Sequence, residues 1–115
     1  MTAFRLLLIV LVAVLALYTG PVVATHGLNL FPYFFGDIAG WGWPGQFNLD
    51  FMMMLALSAL WTAWRNNFSA AGLCLAVLAF LLGAGFLMAY LLYLSWRERG
   101  DSVRMLVGAR TKGVL

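Results

Sequence analysis

Charge is what this sequence has least of. Charged residues make up 10% of the 115-residue chain and hydrophobic ones 64%, against about 25% and 45–50% in soluble domains. A soluble fold of this length has no interior large enough for that much apolar surface, so lipid is expected as the solvent for much of it. A single cysteine, Cys74, excludes an internal disulfide and says nothing about redox compartment. A single histidine, His26, excludes a bis-histidine haem within one chain. A metal site needs three or four donors, and Cys74 is distant from His26 in the sequence, so no metal is expected. Nucleophile–base pairings, phosphate-binding glycine loops and metal motifs are all missing, so enzyme activity has little support and no motif implies a cofactor. No basic stripe with interleaved aromatics is present, so nucleic acid is not an expected partner. Internal repeats and low-complexity linkers are missing too.

The apolar residues are present as long runs. The longest, Ser69 to Trp96, contains no charged residue and stops at Arg97. As one helix it would reach ~42 Å at ~1.5 Å per residue, more than the ~30 Å hydrocarbon core of a bilayer. A first run follows Arg5, and residues 4–24 read as a span. The rival reading is a cleavable signal peptide, with Val22-Val23-Ala24 as the small-residue site. A shorter run, 49–65, is just long enough to cross, and Arg65-Asn66-Asn67-Phe68 links it to the third span as an antiparallel hairpin.

Residues 25–48 read as a structured loop. Pro32, Gly36, Gly40, Gly42, Pro44 and Gly45 are too many breakers for one regular helix. The aromatic content stays high, with Phe31, Tyr33, Phe34, Phe35, Trp41, Trp43 and Phe47, and Trp and Tyr favour the membrane–water interface. One short helix is expected near Pro32–Ala39. A re-entrant or fourth short span is the alternative, and it would put Asp37 at membrane depth. The segment 97–115 reads as a basic surface tail, a short amphipathic helix on anionic headgroups ended by Gly108.

With three spans, Arg5 and Arg65 share one side, and the tail shares the other with the 25–50 loop. The positive-inside rule favours a cytoplasmic tail, five Lys/Arg against two, yet the loop beside it has no Lys or Arg, as an external loop would. Four spans would remove this conflict.

Small residues recur at offsets of three and four in each run: Ala13, Ala16 and Gly20; Ala56, Ala59 and Ala63; Gly72, Ala76, Ala79 and Gly83. Such stripes let helix backbones approach closely, which is the main attraction between helices in lipid. Asp50 opens the second run, where it reads as an N-cap or as an ion-handling carboxylate. Asp37 reads as a solvated loop acid or a ligand contact. His26 reads as an interfacial histidine or an axial ligand to a haem or pigment. Trp41 and Trp43 belong to the aromatic platform. Met52-Met53-Met54 point around a helix, which suits packing better than copper. Ser58 and Thr62 are expected to bond back to helix carbonyls.

Several of these features together resemble a family of small uncharacterised bacterial membrane proteins, a domain-of-unknown-function group. They are the apolar start with Arg5, Leu30-Phe31-Pro32-Tyr33-Phe34-Phe35, Asp50 with Leu57-Ser58-Ala59-Leu60, Gly83-Ala84-Gly85, and Tyr90-Leu91-Leu92-Tyr93-Leu94 before Arg97-Glu98-Arg99. The resemblance implies a three-helix membrane fold in a bacterium. The expected protein is therefore a single all-α domain, an integral three-helix bundle with an aromatic loop between helices 1 and 2, multi-pass in the bacterial inner membrane. The leading expected function is an accessory or assembly subunit, packed on itself or on a larger membrane complex. The alternatives are an oligomeric channel or transporter using Asp37 or Asp50, and a lipid-, pigment- or haem-binding protein.

Overall fold

Two of the breakers between 32 and 45 lie where helices begin. Pro32 is in the first turn of one helix and Pro44 in the first turn of the next, positions where the missing N–H has no helical partner to lose. The computed structural model describes residues 1–110, and these are all-α. The helices are α1 (Thr2–His26), α2 (Phe31–Ala39), α3 (Trp43–Arg65), α4 (Ala70–Leu82), α5 (Ala84–Arg97) and α6 (Ser102–Val107), followed by a 3-10 turn, Gly108–Arg110. The short helix expected near Pro32–Ala39 is α2. The expected second span is longer than read: α3 starts at Trp43, with Gly42 as its N-cap. Lys112 and the rest of 111–115 lie outside the described residues.

α2 and α3 meet at Gly45. A Cβ there would collide with the carbonyl oxygen of Asp37 and lie 2.8 Å from the Ile38 Cα, so this crossing admits only glycine. α3 then turns through Asn66–Ser69 into α4. Asn67 and Phe68 both take left-handed backbone angles (φ 56° and 52°), and the Ser69 hydroxyl caps α4 by accepting the Gly72 N–H at 3.1 Å. Along the α3–α4 pair, Ala63, Gly72 and Ala79 are buried.

The largest departure from expectation is at Gly83. The run Ser69–Trp96 is not one helix but two, of 13 and 14 residues, broken at a glycine with φ 64° and ψ −136°. Non-glycine residues avoid that region because the Cβ clashes with the backbone. The chain reverses there. Leu75 of α4 packs on the cluster of Tyr90 and Leu94 of α5 with Met105, whereas a straight helix would hold Leu75 and Tyr90 ~22 Å apart. The turn is pressed against α3: a Cβ on Gly83 would lie 2.9 Å from Phe51 and 3.3 Å from Leu55. α5 then runs antiparallel to α1, with Arg5 bonded to Ser95 at one end and Leu15 beside Gly85 at the other.

α1 and α3 are long and apolar enough to cross a membrane, while α4 is apolar but shorter. Only 6% of the most apolar stretch of α1 and 11% of that of α3 is buried, so neither is the core helix of a fold that hides its apolar residues from its surroundings.

Candidate functional site

The most extensively bonded buried side chain is an arginine at the end of α3. The Arg65 side chain is 3% exposed. Its Nε donates to the Met105 carbonyl at 2.5 Å, and its Nη2 donates to the Arg104 carbonyl at 3.2 Å and to Glu98 Oε1 at 3.4 Å. Nη1 donates to the Tyr90 hydroxyl at 3.3 Å, and the guanidinium stands 5.8 Å from the centre of the Tyr90 ring. A buried guanidinium is tolerated only when its donors are met and its charge is answered; this one has four acceptors, one of them a carboxylate. Asn66 Nδ2 also donates to the Tyr90 hydroxyl, at 2.9 Å, and to the Thr62 carbonyl, at 2.8 Å. The Trp61 indole donates to the Leu106 carbonyl at 3.0 Å.

The same chemistry recurs twice at this end. Arg5 donates to the Ser95 hydroxyl (2.9 Å) and carbonyl (2.7 Å) and lies over Trp96. Arg110 donates to the Trp64 carbonyl at 2.8 Å and lies over Trp64 and Phe68. Each of the three arginines thus reaches a carbonyl in the last turn of a different helix: α5, α6 and α3. Those carbonyls stand at the negative end of the helix, where a cation is favoured; those of Ser95, Trp64 and Arg104 also accept a backbone N–H from beyond the helix end, from Gly100, Asn67 and Gly108. This arrangement fastens helix ends.

The tail holds the expected short helix, α6, ended by Gly108, and most of its described residues are exposed, but it is anchored to the rest of the chain. Asp101 caps α6 by accepting from Val103 and Arg104 N–H groups, and Met105 is buried, 4% exposed. The expected separation of Arg5 and Arg65 from the tail across the bundle is overturned. All six arginines of the described residues lie at one end, because Arg5 bonds α5 at Ser95, Arg65 bonds α6 and Glu98, and Arg110 bonds α3. The fold-back at Gly83 is the reason.

The other residues singled out in the sequence are placed as follows. Asp50 is not an N-cap; it is exposed inside α3, eight residues in, with no hydrogen-bond or ion-pair partner among the described residues. Asp37 lies in α2, where Asn48 Nδ2 donates to its Oδ2 at 3.4 Å and to the Phe34 carbonyl at 3.1 Å. His26 ends α1 and meets the Tyr33 ring edge-on at 5.9 Å. Trp41 (95% exposed) and Trp43 (72% exposed) point outward at the α2–α3 turn, and Trp43 stacks on Phe47. Among the described residues, no three His, Cys, Asp or Glu side chains could hold a metal. Thr62 Oγ1 donates to the Ser58 carbonyl at 2.8 Å, while the buried Ser58 hydroxyl has no partner.

The small-residue stripes divide. Ala63, Gly72 and Ala79 are buried and Ala59 and Ala76 half-buried, whereas Ala56 is exposed. Ala13, Ala16 and Gly20 are all exposed, with nothing within 4 Å of a Cβ placed on Gly20. Gly83 is the turn between helices, not part of a helix face. Beyond that turn, away from the arginines, a cavity of about 440 Å³ opens between α2, α3 and the end of α4, lined by Phe31, Phe34, Phe51, Leu55 and Phe80 among others.

The residues sequence reading missed are Tyr90, Ser95, Glu98 and Met105. Their partners are 25 to 90 positions away, beyond any spacing rule. The one available signal was Arg65 itself, a cation at the boundary of an apolar run.

Comparison with family models, curated proteins and solved structures finds no match.

Proposed function

We propose that this chain is a small, non-catalytic, multi-pass membrane protein, an accessory or assembly subunit that uses α1 to pack on a second copy or on a larger membrane complex. The observation that carries the reading is the bare middle of α1. From Ala13 to Val22 every residue is exposed, nearly three turns whose free side has lipid or another chain as neighbour, with Leu15 meeting Gly85 of α5. Ala13, Ala16 and Gly20 lie on that stretch at helical spacing, and small residues are what lets a second helix approach in lipid. The bacterial inner membrane is the location that the family resemblance implies, and membrane lipids are the surrounding partner; no nucleic-acid partner is proposed.

Purification from the native membrane in mild detergent tests this. A second chain or second copy should be retained by the wild type and lost in Gly20→Leu, with the variant still membrane-bound. Recovery of the wild type as a monomer with lipid alone would count against the subunit reading.

Asp50 favours a second reading. It stands ~10 Å along α3, exposed and without a partner within the described chain, and a lone carboxylate at such depth is costly unless water or a cation answers it. An oligomeric channel or transporter provides either. Asp50→Asn should then abolish flux without dispersing the assembly.

A further inference from the structure

The reversal at Gly83 bears on how the chain enters a bilayer. α1 and α3 are ~37 and ~34 Å long, but α4 and α5 are only ~20 and ~21 Å, short of the ~30 Å core. α4 leaves the arginine end beside α3, and α5 returns to it beside α1. Their shared tip, Gly83, rests on Phe51 and Leu55 of α3, and the adjacent Gly85 on Leu15 of α1, near the middle of both long helices. Met1 packs on Gly100, so the N-terminus meets the α5–α6 turn at that same end. Every arginine of the described residues is there, while the opposite end, with the α1–α2 and α2–α3 turns, has no Lys or Arg.

We infer that α4 and α5 form a re-entrant hairpin. The chain crosses the bilayer twice, through α1 and α3. The segment from Ala70 to Arg97 dips in from the arginine face, turns at Gly83 near mid-depth, and leaves by the same face. The N-terminus, the Asn66–Ser69 turn and the C-terminal segment then all face the cytoplasm, where Lys and Arg accumulate and headgroups are anionic. The conflict of the three-span reading disappears, because no cation has to lie on the far side. The segment keeps its backbone satisfied at depth, since each arm is helical and the break is packed against α3 instead of lipid. This inference rests on the membrane reading above but not on the subunit reading.

The experiment is sidedness in sealed vesicles of known orientation. Epitope tags at both termini need no internal substitution. In a Cys74→Ser background, single cysteines replace Ala70, Ser102 and Trp41, all exposed, and a membrane-impermeant maleimide is the probe. Expected are both tags, Ala70→Cys and Ser102→Cys reacting only from the cytoplasmic face, and Trp41→Cys only from the other. Three straight spans would put the two tags on opposite faces; four, with 28–44 crossing, would expose Ala70→Cys on the outer face and Trp41→Cys on the side of the tags. Either pattern overturns the inference, as does reaction of the tags and Ala70→Cys only from the outer face. Release of the untagged chain from membranes by alkaline carbonate would instead overturn the membrane reading, and the hairpin with it.

Discussion

The guanidinium of Arg65, at the last residue of α3, donates to the Met105 carbonyl of α6 across 40 positions of sequence. Through Tyr90 and Glu98 the same side chain reaches α5 and the residue that follows it. One residue thus joins three helices that the bare sequence presents as separate segments.

Removing that side chain is expected to be severe. Arg65→Ala removes a donor from the Met105 and Arg104 carbonyls and the cation from Glu98, and breaking a buried charge pair costs ~3 kcal/mol or more. Arg65→Lys should recover only part of this, because one ammonium cannot reproduce the fork that spans Met105, Arg104 and Tyr90. Thermal unfolding in detergent should rank wild type above Arg65→Lys above Arg65→Ala; a lysine variant as stable as the wild type would contradict the bonding described.

Tyr90→Phe isolates one oxygen. The phenol accepts from both Arg65 and Asn66, while its ring stacks on Phe86 and stands edge-on to Trp61. Losing the oxygen alone should cost ~1.5–3 kcal/mol, as for a bond to a charged donor, with packing retained. An unchanged melting temperature in Tyr90→Phe would place the hydroxyl outside the network.

Gly83 and Gly85 make a matched pair. Gly83 has a positive φ against Phe51, whereas a Cβ on Gly85 would meet only ordinary contact with Leu15 at 3.6 Å. Gly83→Ala should destabilise by ~1–3 kcal/mol. Gly85→Ala should be neutral or stabilise by up to ~1 kcal/mol, since alanine favours helix. Comparing the two variants by denaturant titration in micelles checks the reversal directly: equal effects would argue for an unbroken helix.

Gly45→Ala tests the α2–α3 crossing. The added methyl would overlap the Asp37 carbonyl, so α2 must shift, at ~1–3 kcal/mol. The readout is crosslinking or proteolysis of the α2 segment, which should loosen while the arginine end stays protected. Protection unchanged throughout would mean that the two helices are not held this closely.

Composition and periodicity by themselves determined that the long apolar runs are helical, because a helix meets the hydrogen bonds of its own backbone within one segment. The short helix near Pro32–Ala39, the turn read at Arg65–Phe68 and the Thr62 bond back to a helix carbonyl were legible too, since each depends on neighbours within about four residues. Three things needed the folded chain. Pro44 and Gly42 read as breakers, yet they begin α3, which moves Asp50 from its edge to its interior. Gly83 lies in a run of uniformly apolar residues, where nothing local separates a straight helix from a reversed one; the choice is made by Phe51 and Leu55 packing on the turn. The gathering of Arg5, Arg65 and Arg110 at one end follows from that reversal. Side-chain bonds across 40 to 90 positions are consequences of topology, and topology is set by which surfaces fit together, information that no local window of sequence contains.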